Sequence, residues 1–365
     1  MESYYSNFVG MVLFPRNIAS IGAYFAASHD PLVIAGPCSA ESEEQVMQTA
    51  RELAKIPQVA AFRCGAWKPR TRPGDFEGQG EAALRWLGQV KAELRLQVCV
   101  EVGLPSHVEM CLRHGIDALW LGSRTVANPF SVNEIAEALK GVDIPVLVKN
   151  PVNPDLQLWI GALERLYHQG IRKLAAVHRG FATFESRPYR NMPFWEIPME
   201  LMRRYPALPV LNDPSHIAGD RALVPGVTQT ALRLSFSGLM IEAHIDPENA
   251  LTDKDQQLTP ASLAEMLSGL VIPDTRSAPD EELLLHLRQE IDQIDDRLLF
   301  LLARRMETAS RIGGHKRGKG LDPFQPERWK QVLEDRLIKG NELGLSRDFV
   351  LKILQAIHEE ALGRQ

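Results

Sequence analysis

LVIAGPC (32–38), VAAFRCGAWKPRT (59–71), LQVCVEV (96–102), ALWLGSR (118–124), PVLVKN (145–150), KLAAVHR (173–179), PVLNDPSH (209–216) and GLMIEAH (238–244) are eight short apolar runs. Nearly every one ends in a residue able to bind a metal, a phosphate or a carboxylate. Runs without polar alternation suit strands buried on both faces, as parallel sheets require. Between them lie stretches of helical character at 41–55, 80–93, 106–114, 131–139, 155–169 and 194–204. Strand then helix, repeated, builds either a closed parallel barrel or an open doubly wound sheet. An open sheet gathers its ligands near one topological switch point. Here the polar strand ends are spread over all eight runs, so the reading is an α/β protein with a (β/α)8 TIM barrel and its chemistry at the carboxyl ends of the strands.

The chain has 365 residues, more than the roughly 250 typical of such a barrel. The composition changes after Leu270, where VIPDTRSAPDEE (271–282) carries prolines and mixed charge. The expected organisation is a barrel at 1–270 with a short N-terminal extension, a linker at 271–280 and a small all-α domain at 281–365. In the last segment Leu284, Leu287, Ile291, Ile294, Leu298 and Leu301 repeat at steps of three and four. That is the seam of a helix packed against other helices. Two more helical patterns, at about 327–339 and 347–362, complete a three-helix unit.

A net charge of -5 with 45% hydrophobic residues describes an ordinary soluble chain, with no global attraction to nucleic acid or an anionic membrane. The first twenty residues lack a basic segment followed by a long apolar one, and no segment approaches ~18 uninterrupted apolar residues. A cytoplasmic location is expected. Cys38, Cys64, Cys99 and Cys111 have no disulfide-framework spacing and read as reduced thiols.

Cys38, His216, Glu242 and Asp253 combine one thiolate, one imidazole and two carboxylates. This mixture suits Mn, Fe, Co or Zn better than Mg or Ca. His244 is open to three roles: ligand, donor behind the ligands, or catalytic acid. Arg63, Lys68, Arg70, Arg124, Lys149 and Arg179 are cations at or just after apolar strands. A barrel mouth would bring them together, which is unfavourable unless anionic ligands or acidic neighbours compensate. Their number implies more than one anionic group, and Glu101 could orient a lysine or a water.

AGPCSAES (35–42), RCGAWKPRT (63–71), LGSR (121–124), LVKN (147–150), HRGFATFE (178–185), DPSH (213–216) and IEAHIDPENALTDKDQQL (241–258) resemble the short type I branch of 3-deoxy-D-arabino-heptulosonate 7-phosphate (DAHP) synthases, shared with 3-deoxy-octulosonate 8-phosphate synthases. The resemblance implies a divalent metal on Cys38, His216, Glu242 and Asp253. It also implies phosphoenolpyruvate on Arg63, Lys68, Arg124, Lys149 and Arg179, and erythrose 4-phosphate on Lys68, Pro69, Arg70 and Thr71. The KPRT run favours erythrose 4-phosphate over the arabinose 5-phosphate of the octulosonate enzymes, which have an asparagine-containing segment there. The implied reaction is an aldol-like condensation with Lys68, Glu101 or a metal-bound water carrying protons. Asn150 and Pro151 depart from the family pattern, which has Arg-Gly after the lysine.

In the helical segment Arg305 continues the apolar seam, one heptad beyond Leu298. A cation there predicts a buried partner or an anionic ligand. Lys316 lies near the same face, roughly 16 Å along the axis, whereas Arg288 is about a quarter-turn off it. Residues 281–365 resemble the all-helical AroQ-type chorismate mutases, in which two chains share a long first helix. That resemblance implies a homodimer, conversion of chorismate to prephenate, and substrate contacts from Arg288, Arg305, Lys316, Arg328 and Gln365, with Arg288 serving the other protomer's site. Trp329 stands where an acidic residue is usual, and Ala361 replaces a common serine. The fusion implies a bifunctional enzyme of aromatic amino acid biosynthesis with feedback from the helical domain on the barrel. Two rival expectations are an octulosonate-type barrel, and a helical part that only dimerises and senses ligand.

Overall fold

The computed structural model describes residues 18–25, 31–69, 74–184, 188–272, 279–319, 322 and 325–364. Arg70, Thr71 and Gln365 therefore lie outside the described residues. The chain divides into two compact units between residues 276 and 277.

In the first unit β1 (Leu32–Gly36), β2 (Val59–Cys64), β3 (Gln97–Val102), β4 (Ala118–Leu121), β5 (Val146–Lys149), β6 (Leu174–His178), β7 (Val210–Asn212) and β8 (Gly238–Glu242) form a closed parallel barrel in sequence order. β8 pairs back onto β1, Gly36 opposite Glu242. The helices are α1 (Ile21–Phe25), α2 (Glu43–Leu53), α3 (Glu81–Leu94), α4 (Pro105–Arg113), α5 (Ser123–Val126), α6 (Pro129–Ala138) and α7 (Leu156–His168), then α8 (Glu196–Arg204), α9 (Pro214–Ala218), α10 (Val224–Arg233) and α11 (Pro260–Ser268). Outward residues such as Val33, Phe62, Val100, Leu119, Val148 and Ile241 pack with the helices in one large core.

The inward residues form a second cluster that includes Ile34, Ala61, Cys99, Trp120, Leu147 and Met240. Strand side chains alternate with period two. Two residues after Ala61, Cys99, Leu147 and Met240 come Arg63, Glu101, Lys149 and Glu242, so the apolar interior layer is followed by a charged one toward the carboxyl ends. The other end is closed by α1. Its Tyr24 and Phe25 join the interior cluster, Tyr24 Oη donates to the Leu174 carbonyl at 3.2 Å, and Gln97 Nε2 donates to the Tyr24 carbonyl. The α1 stretch of the extension is thus part of the barrel core, a role its sequence did not announce.

The second unit consists of α12 (Pro279–Gly318), α13 (Pro326–Glu342) and α14 (Arg347–Gly363). Its buried cluster is small: Met306, Ala309 and Ala361, with Ile357 against it. Of the seam expected to pack against other helices, the side chains of Leu284 and Leu287 lie outside the described ones, and the rest is largely bare within one chain. Ile291, Ile294, Leu298 and Leu301 are each at least half exposed, because α13 and α14 do not cover that stretch of α12. No helix among the described residues is long and apolar enough to cross a membrane.

Candidate functional site

Strand ends and the loops that follow them build a cavity of about 410 Å³. Its lining includes Lys68, Pro69, Glu101, Arg124, Lys149 and Arg179, together with Arg190, Asn191, His216 and Asp253. Below it Arg63, 1% exposed, donates from Nη2 to Glu242 Oε1 at 3.1 Å and lies 4.0 Å from Asp213. Its guanidinium also stands 4.9 Å from the Trp120 ring centroid. Arg63 is therefore a buried cation under the cavity and not part of its lining.

Asp213 is the hub of the charged layer. Oδ2 accepts from Lys149 Nζ at 2.7 Å and lies 2.8 Å from His216 Nδ1, while Oδ1 accepts the His216 backbone N–H at 3.1 Å. Burial alone would raise its carboxyl, but His216, Lys149 and Arg63 outweigh burial and hold it well below the usual carboxylate range. Asp213 occupies the end of β7, the position at which the other strands supply their polar residues. That signal was available in DPSH, where only His216 was singled out.

Cys38, Glu242 and Asp253 bring one ligand atom each within 4.8 Å of one another. His216 Nε2 faces Glu242 Oε1 at 3.7 Å. With Nδ1–H donated to Asp213, Nε2 keeps its lone pair for the cluster, the arrangement that suits a metal-ligating imidazole. Burial holds this imidazole below its ordinary value, with Asp213 opposing. Burial also pushes the Cys38 thiol up, Glu242 adds to this, and Lys68 opposes it. Cys38 Sγ donates to Asp253 Oδ2 at 3.1 Å, and Lys68 Nζ donates to Sγ at 2.9 Å. The donor set fits a borderline-soft divalent cation, which would have to displace the thiol proton.

Asp253 sits at φ +46, a left-handed conformation in which aspartate is over-represented. Arg190 Nη1 donates to its Oδ1 at 2.8 Å. Burial alone would raise the Asp253 carboxyl, but Arg190 and His216 lower it. Gly36 is needed for space, since an added Cβ would collide with the Arg63 backbone carbonyl, whereas at Gly122 it would meet the end of the Glu101 side chain.

Of the other sequence expectations, Glu101 lines the cavity and accepts from Trp120 Nε1 at 3.1 Å. Arg124 Nη1 donates to the Pro69 carbonyl at 3.2 Å. Arg179 donates to Asn191 Oδ1 at 2.7 Å, and burial lowers its guanidinium to about 10. Asn150, in place of the family's arginine, is buried. It accepts the Arg179 backbone N–H and donates to the Pro151 and Gly180 carbonyls, so it ties two loops together. His244 is turned away. Its Nδ1 accepts from the Asp246 N–H, its Nε2 faces Glu41 at 3.6 Å, and it is not among the cavity-lining residues. The sequence reading missed Arg190 and Asn191, which come from the long β6–α8 loop and not from a strand end.

In the helical unit a cavity of about 450 Å³ is lined by Leu301, Arg304, Arg305, Thr308, Ala309, Ile312, His358 and Ala361. Arg305 was expected to meet a buried partner or an anionic ligand. It is exposed, with Nη1 3.4 Å from the Ile357 carbonyl, and it lines this cavity. Lys316 is half-buried, Arg288 and Arg328 are exposed, and none of the three is among the lining residues. Trp329 stacks on His358 with ring centroids 4.0 Å apart.

Two family models match separate segments of the chain. Residues 20–272 match the model of the DAHP synthetase I family, and residues 287–365 match chorismate mutase type II. A phospho-2-dehydro-3-deoxyheptonate aldolase of Thermotoga maritima is 32% identical over 230 residues, which span 62% of this chain and 64% of that relative, somewhat under two thirds of its length. The T-protein of Haemophilus influenzae is 33% identical over 84 residues, 23% of this chain and 22% of that protein. The crystal structure of a DAHP synthase from Thermotoga maritima superposes with a TM-score of 0.59 at 30% identity, covering 65% of this chain and 67% of that one. The chain belongs to the DAHP synthetase I family, with a segment matching chorismate mutase type II fused after the barrel.

Proposed function

We propose that the barrel condenses phosphoenolpyruvate with erythrose 4-phosphate to give DAHP and phosphate, and that the helical unit converts chorismate to prephenate. Both reactions serve aromatic amino acid biosynthesis, in the cytoplasm. The observation that carries the first reading is one cavity lined by Lys68, Arg124, Lys149, Arg179 and Arg190 beside a thiol, imidazole and carboxylate donor set. Two mutually repelling anions need that concentration of fixed positive charge to be brought into reacting geometry.

Lys149, Arg179 and Arg124, with Arg63 beneath, hold phosphoenolpyruvate. Lys68 and Pro69 begin the segment that receives the sugar phosphate, with Arg70 and Thr71 continuing it. A divalent cation on Cys38, His216, Glu242 and Asp253 would supply Lewis acidity toward the aldehyde oxygen. The C3 carbon of phosphoenolpyruvate bonds to the aldehyde carbon, water adds at C2, and the resulting hemiketal expels phosphate. Burial disfavours charge on Lys68, but Cys38, Glu101 and Glu242 outweigh this and keep it cationic. Its Nζ protonates the former aldehyde oxygen, while a carboxylate oxygen of Glu101 takes the proton of the attacking water. His244 accepts the Asp246 N–H within the loop after β8 and is assigned no step of its own.

In the helical unit Arg305 binds a carboxylate, Arg288 and Arg328 add charge, and Lys316 and Gln365 face the breaking ether oxygen. The bare α12 seam is covered by a second copy of the chain, giving a homodimer in which Arg288 serves the partner's site. Occupation of this site by prephenate or chorismate inhibits the barrel. Trp329 stacked on His358 beside the cavity favours a second reading, in which this unit only dimerises and senses ligand.

The test is condensation by the full chain with erythrose 4-phosphate against arabinose 5-phosphate, with chorismate consumption followed for the parent and Arg305→Ala. Preference for arabinose 5-phosphate would overturn the barrel reading. Absence of chorismate turnover, with prephenate inhibition retained, would leave the sensor.

A further inference from the structure

The two carboxylates of the proposed metal centre divide their oxygens between an inner and an outer side. Asp253 presents Oδ2 to Cys38 Sγ and Oδ1 to Arg190. Glu242 presents Oε1 to Arg63 and His216, while its Oε2 accepts from Gln256 Nε2 at 2.7 Å. Gln256 Oε1 in turn accepts from Arg190 Nη1 at 2.7 Å, the same nitrogen that binds Asp253. Glu242, Gln256, Arg190 and Asp253 thus form a continuous hydrogen-bonded bracket around the outer side of the cluster.

Gln256 is 1% exposed, and both ends of its amide are used by this bracket. The bracket answers two physical problems. Carboxylates whose oxygens lie within 4.8 Å of each other repel, and Asp253 sits in a backbone conformation that side-chain-bearing residues seldom adopt unless their surroundings impose it. Outer partners of this kind fix ligand orientation and set metal affinity.

We propose that Gln256 is a positioning residue of the metal centre: acting through Arg190, it holds Glu242 and Asp253 at the spacing and orientation that a divalent cation requires. This rests on the proposed metal-binding role of the cluster.

The metal-free full-length protein is titrated with Co²⁺, following thiolate-to-cobalt charge-transfer absorption as the report on Cys38 ligation. Thermal unfolding of each metal-free protein is recorded alongside. Gln256→Met keeps the side-chain length and removes both hydrogen bonds, and Co²⁺ affinity is expected to fall about 10- to 100-fold. Arg190→Met, at a half-exposed side chain, is expected to weaken binding in the same direction and to remain folded if Gln256→Met does not. Arg190→Lys retains a donor and is expected to recover part of the loss. Co²⁺ affinity and band intensity within twofold of the parent in the folded methionine variants would overturn the positioning role. Absence of the band in the parent would overturn the metal-centre reading beneath it.

Discussion

Arg63 in the barrel is 1% exposed and answered by Glu242 and Asp213, whereas Arg288, Arg305 and Arg328 in the helical unit all stand exposed. The barrel surrounds Arg63 and Lys149 with its own carboxylates, so their positions exist before any ligand arrives. In the helical unit Arg288, Arg305 and Arg328 stand exposed beside an apolar seam that is itself bare. A ligand or a second copy of the chain would have to cover them. The same residue type therefore carries different energetics: structural in one unit, available in the other.

Arg63→Ala probes this contrast most severely. It leaves Glu242 and Asp213 short of a buried counter-charge, and the barrel transition in urea is expected to lose about 3–5 kcal/mol. A loss below about 1 kcal/mol would break the comparison.

Acid unfolding sharpens it next. His178 lies among Phe181, Trp195 and Phe236, with Nε2 2.6 Å from the Pro193 carbonyl and Nδ1 3.2 Å from Asn212 Nδ2. Both contacts suit a neutral ring, and burial lowers it to about 3. The unfolded chain takes up this proton first, near pH 6.5, so stability is full above that value and declines as pH falls toward 3. His178→Gln is expected to reduce the acid slope by up to about 1.4 kcal/mol per pH unit. An unchanged slope would remove His178 from the acid limb.

Glycine substitutions give a smaller, signed contrast. Gly36→Ala drives a Cβ into the Arg63 carbonyl and is expected to cost about 1–3 kcal/mol. Gly314→Ala in α12 meets nothing within 4 Å and is expected to gain about 1 kcal/mol. Thermal unfolding showing the same sign for both would contradict the packing difference.

The smallest stability effect is expected for Arg305→Ala, within about 0.5 kcal/mol by urea unfolding, while chorismate consumption is lost. Leu298→Glu, on the bare seam, should convert dimer to monomer in sedimentation with little change in the barrel transition. A dimer that persists unchanged would show that the seam is not the interface.

The strands and most of the cavity were legible because a strand buried on both faces must be apolar until it reaches the charged layer. Lys149 and Glu242 stand where β5 and β8 emerge from the interior. α10 was not anticipated: VPGVTQTALR has Pro, Gly and Thr, all weak helix formers, and its helix rests on burial of Val224, Val227 and Ala231. Arg190 was invisible for a related reason, since a long loop has no period from which its direction can be read. The exposure of Arg305 was not legible, because heptad spacing marks which residues share a face of the helix but not what covers that face.

Continuous apolar runs by themselves determined the eight strands and the polar residues at their ends, and helical spacing determined the three C-terminal helices. Only the tertiary structure decided the pairing: Arg63 with Glu242, 179 positions apart, Lys149 with Asp213, Gln256 between Glu242 and Arg190, and α1 against the barrel interior. Such patterning is a local property of the chain, whereas pairing depends on barrel closure and loop paths, which bring distant carboxylates and cations to within hydrogen-bonding distance.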